Sequence, residues 1–186
     1  MEILYLKNMV CDRCISSVKN IFNKNGYYPQ TVSLGKITLA QKISPEDRIN
    51  IEKQLEQEGF EMLDGEKPIL VTKIKSALVT LYNSSEIPED FKLSRFLTEH
   101  FPYDYAHLSR TFSQYEADTL EQYHIKLRIE KAKELLTYNE NNVSDVAFHL
   151  GYGNIAHFSR QFKKVTGLSP SAYKNHPIGR RSLSEL

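Results

Sequence analysis

The sequence predicts a mixed α+β chain in which a small four-stranded sandwich precedes an all-helical part. Three observations support this fold class. Strand and helix patterns follow one another in the order βαββαβ over about the first 64 residues. A segment near the C-terminus, 143–173, has the apolar spacing of short helices, and a copy of this segment lies fifty residues upstream.

The first 64 residues predict a ferredoxin-like βαββαβ sandwich. The predicted elements are a strand at 2–8, a helix from Ile15 to Gly26, strands at 27–34 and 36–40, a helix from Pro45 to Gly59, and a strand at 60–63. Acidic residues directly after Pro45 suit the dipole at the start of the second helix.

Two cysteines, Cys11 and Cys14, lie where the loop after the first strand enters the first helix. This spacing can aim both sulfurs at one point, and a helix N-terminus favours the thiolate form. Thiolates with few other ligands suit Cu(I), and they suit Zn(II) if further ligands join. Three interpretations therefore remain open: a metal site, a vestigial pair in an inherited fold, and a thiol redox switch.

In this context residues 2–64 resemble the heavy-metal-associated domain of copper chaperones and metal pumps. The resemblance rests on Met9, Cys11 and Cys14, which match the family's Met-x-Cys-x-x-Cys motif in the same loop. It implies that the two cysteines bind Cu(I) or Zn(II). Met9 is predicted to be a core residue beneath the loop rather than a ligand.

Residues 65–91 are predicted to form a linker and the first helix of the second domain. Pro68 favours a helix start just after it. Leucine and isoleucine then recur at helical spacing, at Leu70, Ile74, Leu78 and Leu81. This pattern predicts a helix of about 69–83, followed by a polar loop.

Within 143–173, Phe158, Phe162 and Val165 recur at i, i+4 and i+7, which predicts one buried helical stripe. The opposite side is small and basic, with Ala156, Arg160, Lys163 and Lys164. A short supporting helix ends at a glycine, and Asn154 can cap the next helix. Two short helices of this kind predict a DNA-binding helix-turn-helix.

The upstream copy aligns without a gap, so that 106–112 pairs with 156–162 and Tyr123 pairs with Tyr173. We therefore expect two such motifs, at 93–123 and 143–173. A longer helix joins them. Its predicted features are a capping box at Thr119 and Gln122 and an apolar stripe of Ile125, Ile129, Ala132 and Leu136. A rod of roughly 30 Å could set two recognition helices into successive major grooves.

The second motif also carries a family signature. Its residues are Phe158, Arg160, Phe162, Lys163, Lys164, Gly167, Ser169, Pro170 and Tyr173. On these residues, about 68–176 resemble the AraC/XylS-type transcription regulators. The resemblance implies a DNA-binding domain at 92–176 with two motifs joined by a long helix. In the first motif, Ala117 and Asp118 stand where the family usually has a glycine.

Carried over position by position, the resemblance implies base-edge contacts from the exposed face of each recognition helix. The residues are Ala106, His107, Ser109 and Arg110 in the first motif, and Ile155, Ala156, His157, Ser159 and Arg160 in the second, with Lys163 and Lys164 nearer the DNA backbone. Arginine can pair with guanine, whereas alanine and isoleucine can contact a thymine methyl. A salt bridge from either arginine to Glu130 or Glu134, and a helix-stacking role for the histidines, are the alternatives.

Composition limits the remaining classes of protein. The 186 residues are 40% hydrophobic and carry a net charge of +1, but six Lys or Arg residues stand against one acidic residue from Asp145 to Arg181. Such a basic end suits phosphate contacts. We find no membrane-length apolar run, secretory signal or disulfide framework, so we expect a cytoplasmic protein without membrane contact.

The sequence therefore predicts a sequence-specific DNA-binding transcription regulator. As a further hypothesis, which rests on the two resemblances, metal or thiol state at Cys11 and Cys14 alters its DNA affinity. Double-stranded DNA is the expected partner; a soft metal ion and a second copy in a homodimer are further candidates. No nucleophile set, phosphate loop or carboxylate pair indicates an enzyme. The alternative is a metal carrier whose helical domain mediates protein interaction. The predicted domains are 1–64, 65–91 and 92–176, followed by a flexible tail at 177–186.

Overall fold

The computed structural model describes residues 1–9, 11–84, 86–138 and 141–177. It confirms the mixed α+β class, with one four-stranded antiparallel sheet near the N-terminus and helices elsewhere. The chain divides into two compact units, Met1–Ser76 and a second that begins at Ala77. The predicted tail lies outside the described residues from position 178 onward.

The first unit is built from a four-stranded sheet and its helices. Its elements are β1 Glu2–Lys7, α1 Asp12–Lys24, β2 Thr31–Ser33, β3 Lys36–Leu39, α2 Pro45–Gln57, β4 Glu61–Leu63 and α3 Glu66–Ser84, of which α3 continues into the second unit. The strands lie in the order β2-β3-β1-β4, and each neighbouring pair is antiparallel.

Three predicted boundaries in this part are wrong by three residues or more. The first helix, expected from Ile15, begins at Asp12. The strand expected at 27–34 is confined to β2, because only those three residues pair with β3. The helix expected at 69–83 begins earlier, at Glu66, so that Pro68 lies in its first turn. Proline is tolerated there because the first turn of a helix has no acceptor for its N–H groups.

One face of the sheet forms the core of the first unit. Alternate residues of β1 and β3 point inward, as the period of two in a strand requires, and pack with α1 and α2. The core residues include Leu4, Leu6, Ile37, Leu39, Val18, Phe22, Ile51 and Leu55. Met9 is 2% exposed within this cluster, which confirms its prediction as a core residue.

The N-terminal part of α3 packs near the turn between β2 and β3. The Ser76 hydroxyl donates to the Leu34 carbonyl over 3.0 Å, and Lys73 lies over the Tyr5 ring. Gly35 has a φ of 69°, and a Cβ there would lie 2.5 Å from the Thr72 Cγ2. Only glycine satisfies both the positive φ and this close approach.

The second unit is helical in its described residues. After the C-terminal part of α3 come α4 Leu93–His100, α5 Tyr105–Tyr115, α6 Leu120–Thr137, α7 Val143–His149, α8 Ile155–Thr166 and α9 Pro170–Asn175. Helix α6 has 18 residues, a length of about 27 Å, and contacts α5, α7, α8 and α9. Among the helices that the structure describes, none is both long and apolar enough to cross a membrane.

Helix α6 carries buried polar groups in addition to the predicted apolar stripe. The predicted capping box is confirmed, with Thr119 and Gln122 each accepting a backbone N–H from the other. His124 shares a hydrogen bond with the Tyr82 hydroxyl over 3.1 Å. Burial lowers the pKa of His124 to about 4, so the ring is neutral at pH 7. Glu130 and Lys133 form an ion pair of 2.7 Å that is almost fully buried.

Replacement of Gly35 by alanine is expected to destabilise the first unit by about 2–3 kcal/mol, because the new methyl group adds a steric clash with Thr72 to the strain of a positive φ. Gly26→Ala is the matched control, since Gly26 has a φ of 79° but a Cβ there would meet no atom within 4 Å. Urea unfolding followed by circular dichroism measures both losses. Equal losses in the two variants would contradict the role assigned to the close approach.

Candidate nucleic-acid interface and cysteine pair

Helices α5 and α8 begin with the same kind of cap. The Asp104 carboxylate accepts the backbone N–H of His107 over 2.7 Å. The Asn154 side chain accepts from the N–H groups of Ala156 and His157, over 2.7 and 3.3 Å. Such caps satisfy donors that have no partner inside the helix. Both helices therefore start at the equivalent position of the repeat.

The buried faces of α5 and α8 are also equivalent. Leu108 and Phe112 on α5, and Phe158 and Phe162 on α8, are all fully buried. The Phe112 ring contacts Tyr123 with centroids 5.3 Å apart. The Phe162 ring contacts Tyr173 at 5.6 Å. Because these aromatic contacts hold one side of each helix in the core, the other side faces outward.

The predicted DNA-contacting residues lie on these two outward faces. The exposed ones are Ala106 and Arg110 on α5, and Ile155, Ala156, His157, Arg160, Lys163 and Lys164 on α8. His107, Ser109 and Ser159 are partly buried. Val165, expected in the buried stripe, is 42% exposed, so the stripe of α8 ends at Phe162 and that part of the prediction is wrong.

The two arginines are not neutralised by the acidic residues of α6. Glu130 pairs with Lys133, and Glu134 pairs with Lys131 over 3.0 Å. Within the described ranges, neither Arg110 nor Arg160 forms an ion pair. The alternative of a structural salt bridge to Glu130 or Glu134 is therefore wrong, and both guanidinium groups keep their charge on the surface.

The two histidines have aromatic neighbours within the fold. His107 stacks on Tyr103 with ring centroids 4.8 Å apart and nearly parallel planes. His157 meets the Tyr152 ring edge-on at 5.6 Å. These contacts favour the stacking alternative for His107, which is the less exposed of the two.

Sequence reasoning missed Arg128, the residue of α6 that holds the turn of the second motif. Its Nε donates to the Leu150 carbonyl over 2.7 Å, and its guanidinium lies 3.7 Å from the centre of the Tyr152 ring. Tyr152 in turn donates to the Gln161 side chain on α8. Nothing in the local pattern indicated this role, because an arginine beside an apolar helical stripe is usually solvent-exposed.

A segment before α4 supports the same turn. The Ile87 N–H donates to the His149 carbonyl over 2.9 Å, and Ile87 is buried. Gly151 has a φ of 71°, and a Cβ there would lie 2.6 Å from the Pro88 carbonyl oxygen. The turn between α7 and α8 is therefore fixed both by Arg128 and by this segment.

The two recognition helices differ at their C-terminal ends. Helix α8 ends at Thr166 with Gly167 as its C-cap, which has a left-handed φ of 81°, and it carries Lys163 and Lys164 in its last turn. Helix α5 ends at Tyr115, one position earlier in the repeat, and Glu116 after it is extended. The reason is that Ala117 is the equivalent of Gly167, and alanine disfavours the left-handed cap. On α5, Ser113 and Gln114 stand at the positions equivalent to these two lysines, so the second motif is the more basic one.

The cysteine pair belongs to the first unit. The Sγ atoms of Cys11 and Cys14 are 3.1 Å apart at the start of α1, and both side chains are partly buried. Burial raises the pKa of the Cys11 thiol above its ordinary value, and the hydrogen bond with Cys14 raises it further. The backbone N–H groups of Cys14 and Arg13 lower the pKa of Cys11, as expected at a helix N-terminus, but their effect is the smaller one. Here desolvation outweighs the helix dipole.

These two sulfurs fit a soft cation that accepts few ligands. Among the described residues there is no cluster of three or more His, Cys, Asp and Glu side chains that could hold a metal. Four-coordinate Zn(II) normally takes four protein ligands in a structural site.

Comparisons with known proteins concern the C-terminal part. Residues 97–176 match the helix-turn-helix domain family. A helix-turn-helix-type transcriptional regulator of Staphylococcus aureus is 34% identical over 86 residues, which are 46% of this chain and 11% of that protein. The bifunctional transcriptional activator/DNA repair enzyme AdaA of Bacillus subtilis is 29% identical over 99 residues, 52% of this chain and 46% of that protein. The chain thus spans less than half the length of both relatives.

A solved structure is similar over the same part. It is the C-terminal domain of AraT, a response regulator from Geobacillus stearothermophilus, at 26% identity with a TM-score of 0.50. The match covers 61% of this chain and 90% of that domain.

Replacement of Arg128 by lysine is expected to destabilise the second unit by about 1–3 kcal/mol. Lysine keeps the charge but loses the planar group that stacks on Tyr152 and donates to Leu150. Arg95→Lys makes the same change at an exposed position of α4 and should cost less than about 0.5 kcal/mol. Thermal unfolding compares the two, and similar midpoints for both variants would remove Arg128 from this role.

Proposed function

We propose that this chain, whose C-terminal part is an AraC-type helix-turn-helix domain, is a sequence-specific DNA-binding transcription regulator. One observation carries the proposal. Helices α5 and α8 each have a side-chain cap and a buried aromatic ring. On their outer faces they present an exposed arginine and small side chains at equivalent positions. A helix with this kind of face can lie in the major groove, where arginine reads guanine and alanine contacts a thymine methyl.

The DNA backbone would be held mainly by the second motif. Arg160, Lys163 and Lys164 are exposed on α8, and none of them has an ion-pair partner in the part of the chain that the structure describes. Unpaired cations can displace the counterions that surround DNA phosphates, which makes binding favourable and dependent on salt. On α5 only Arg110 is available among the equivalent positions.

Replacement of both Lys163 and Lys164 by alanine is expected to lower DNA affinity for all sequences and to reduce the slope of log K against log salt by about 1–2. Each lost phosphate contact removes roughly 0.9 from this slope. The matched control is the double change Ser113→Ala and Gln114→Ala at the equivalent positions of α5, which should leave the slope unchanged. Fluorescence anisotropy with a labelled duplex at several salt concentrations gives both slopes, and an unchanged slope in the lysine variant would be contrary to the proposal.

For the N-terminal part we propose the domain arrangement that the sequence predicts, with a heavy-metal-associated-like domain ahead of the helical one. Residues Cys11 and Cys14 would hold one soft cation, and Cu(I) suits the pair of sulfurs better than Zn(II). Two observations support this: the thiols are 3.1 Å apart, and they are partly buried rather than fully exposed. Binding of the ion at the entrance to α1 would then alter DNA affinity, which is the regulatory part of the proposal.

One equivalent of Cu(I) is expected to bind per chain, and binding should tighten as the pH rises. The reason is that burial raises the pKa of the Cys11 thiol, and a metal must displace the thiol proton to bind the sulfur. Competition with a coloured Cu(I) chelator measures the affinity between pH 6 and 9. The variant with Cys11→Ser and Cys14→Ser should fail to take Cu(I) from the chelator. Retained Cu(I) binding in that variant would refute the site.

The second candidate function is a metal carrier whose helical part binds protein. It is favoured only if Cu(I) binds as expected while no duplex DNA is retained at low salt. The repetition of an exposed arginine at the equivalent position of both recognition helices argues against it, because arginine in this position suits guanine in the major groove.

A further inference from the structure

The two recognition helices carry the same side chains at their outward-facing positions. Ala106, Ser109 and Arg110 on α5 correspond to Ala156, Ser159 and Arg160 on α8. In both helices the alanine and the arginine are exposed and the serine is partly buried. His107 and His157 are also identical but differ in exposure, and Ser113 and Gln114 stand where α8 has its two lysines, so the identity is confined to one small patch near the start of each helix.

The patch also points in the same direction relative to each motif. Each helix starts at an equivalent side-chain cap, from Asp104 or Asn154. Each buries an aromatic ring six residues after the shared alanine, Phe112 or Phe162. Because the start and the buried side of each helix coincide, the alanine and the arginine four residues later share one outward face in both.

We infer that the DNA site of this protein contains two copies of one half-site core, about one helical turn apart. In each copy the arginine would pair with a guanine and the alanine would contact a nearby thymine methyl. The reason is that the same side chains on the same face of two equivalent helices recognise the same base edges. This inference rests on the proposed DNA-binding function and specifies its ligand.

The structure also indicates where the two half-sites differ. The first residue of α5 is Tyr105, whose hydroxyl donates to the Glu121 carboxylate of α6 over 2.6 Å. The first residue of α8 is Ile155, which is 37% exposed and free to contact an apolar group. The core should therefore be repeated, while an additional thymine beside the core should be preferred only in the copy bound by α8.

The experiment is selection of binding sites from random duplex DNA by the full chain, followed by sequencing. The expected result is two copies of one short sequence with centres roughly 10 bp apart. Enrichment of two unlike sequences, or of a single one, would overturn this inference while leaving the DNA-binding function intact. Failure to retain any duplex at low salt would overturn the proposed function itself, so the two failures are distinguishable.

Two conservative variants test which arginine reads which copy. Arg110→Lys and Arg160→Lys keep the positive charge but lose the two-pronged contact with guanine. Each should weaken discrimination at the guanine of one copy by roughly five- to 150-fold, at the same place within the core, and leave the salt dependence unchanged. The inference is overturned if the two variants relax different bases of the core, or if only one of them relaxes any base.

Discussion

The burial of Phe112 and Phe162 fixes the direction of every other side chain on the two recognition helices. Both rings are inaccessible to solvent, and each contacts a tyrosine eleven residues later, Tyr123 or Tyr173. An α-helix has a constant angle between residues, so holding one side chain in the core sets the outward face. The arginines, alanines and lysines available to DNA are therefore arranged by residues that cannot touch it.

Helix α6 supports this arrangement, and the two motifs use it differently. It supplies Tyr123 to the first motif and Arg128 to the turn of the second, where the guanidinium lies against Tyr152. The second motif also ends at a left-handed glycine, Gly167, whereas alanine occupies the equivalent position of the first. The duplicated unit thus keeps the same outward face in both copies but has a basic C-terminal end in only one.

Local patterns predicted the repeat, the side-chain caps and the face of each recognition helix, because these depend on residues a few positions apart. Periodicity did not predict that Val165 is exposed, since it shows which residues share a face but not where neighbouring helices end. The buried Glu130–Lys133 pair and the role of Arg128 depend on packing between distant segments, so no local pattern indicated them. The raised pKa of the Cys11 thiol follows from desolvation, which spacing alone does not reveal.

The most direct test of the account is to titrate isotope-labelled protein with duplex DNA and to follow its backbone amide signals by NMR. The account predicts the largest changes at Ala106, Arg110, Ala156 and Arg160, with little change at the buried residues beneath them. Changes confined to other surfaces, or no change on α5 and α8 at saturating DNA, would contradict the central claim that these two faces bind DNA.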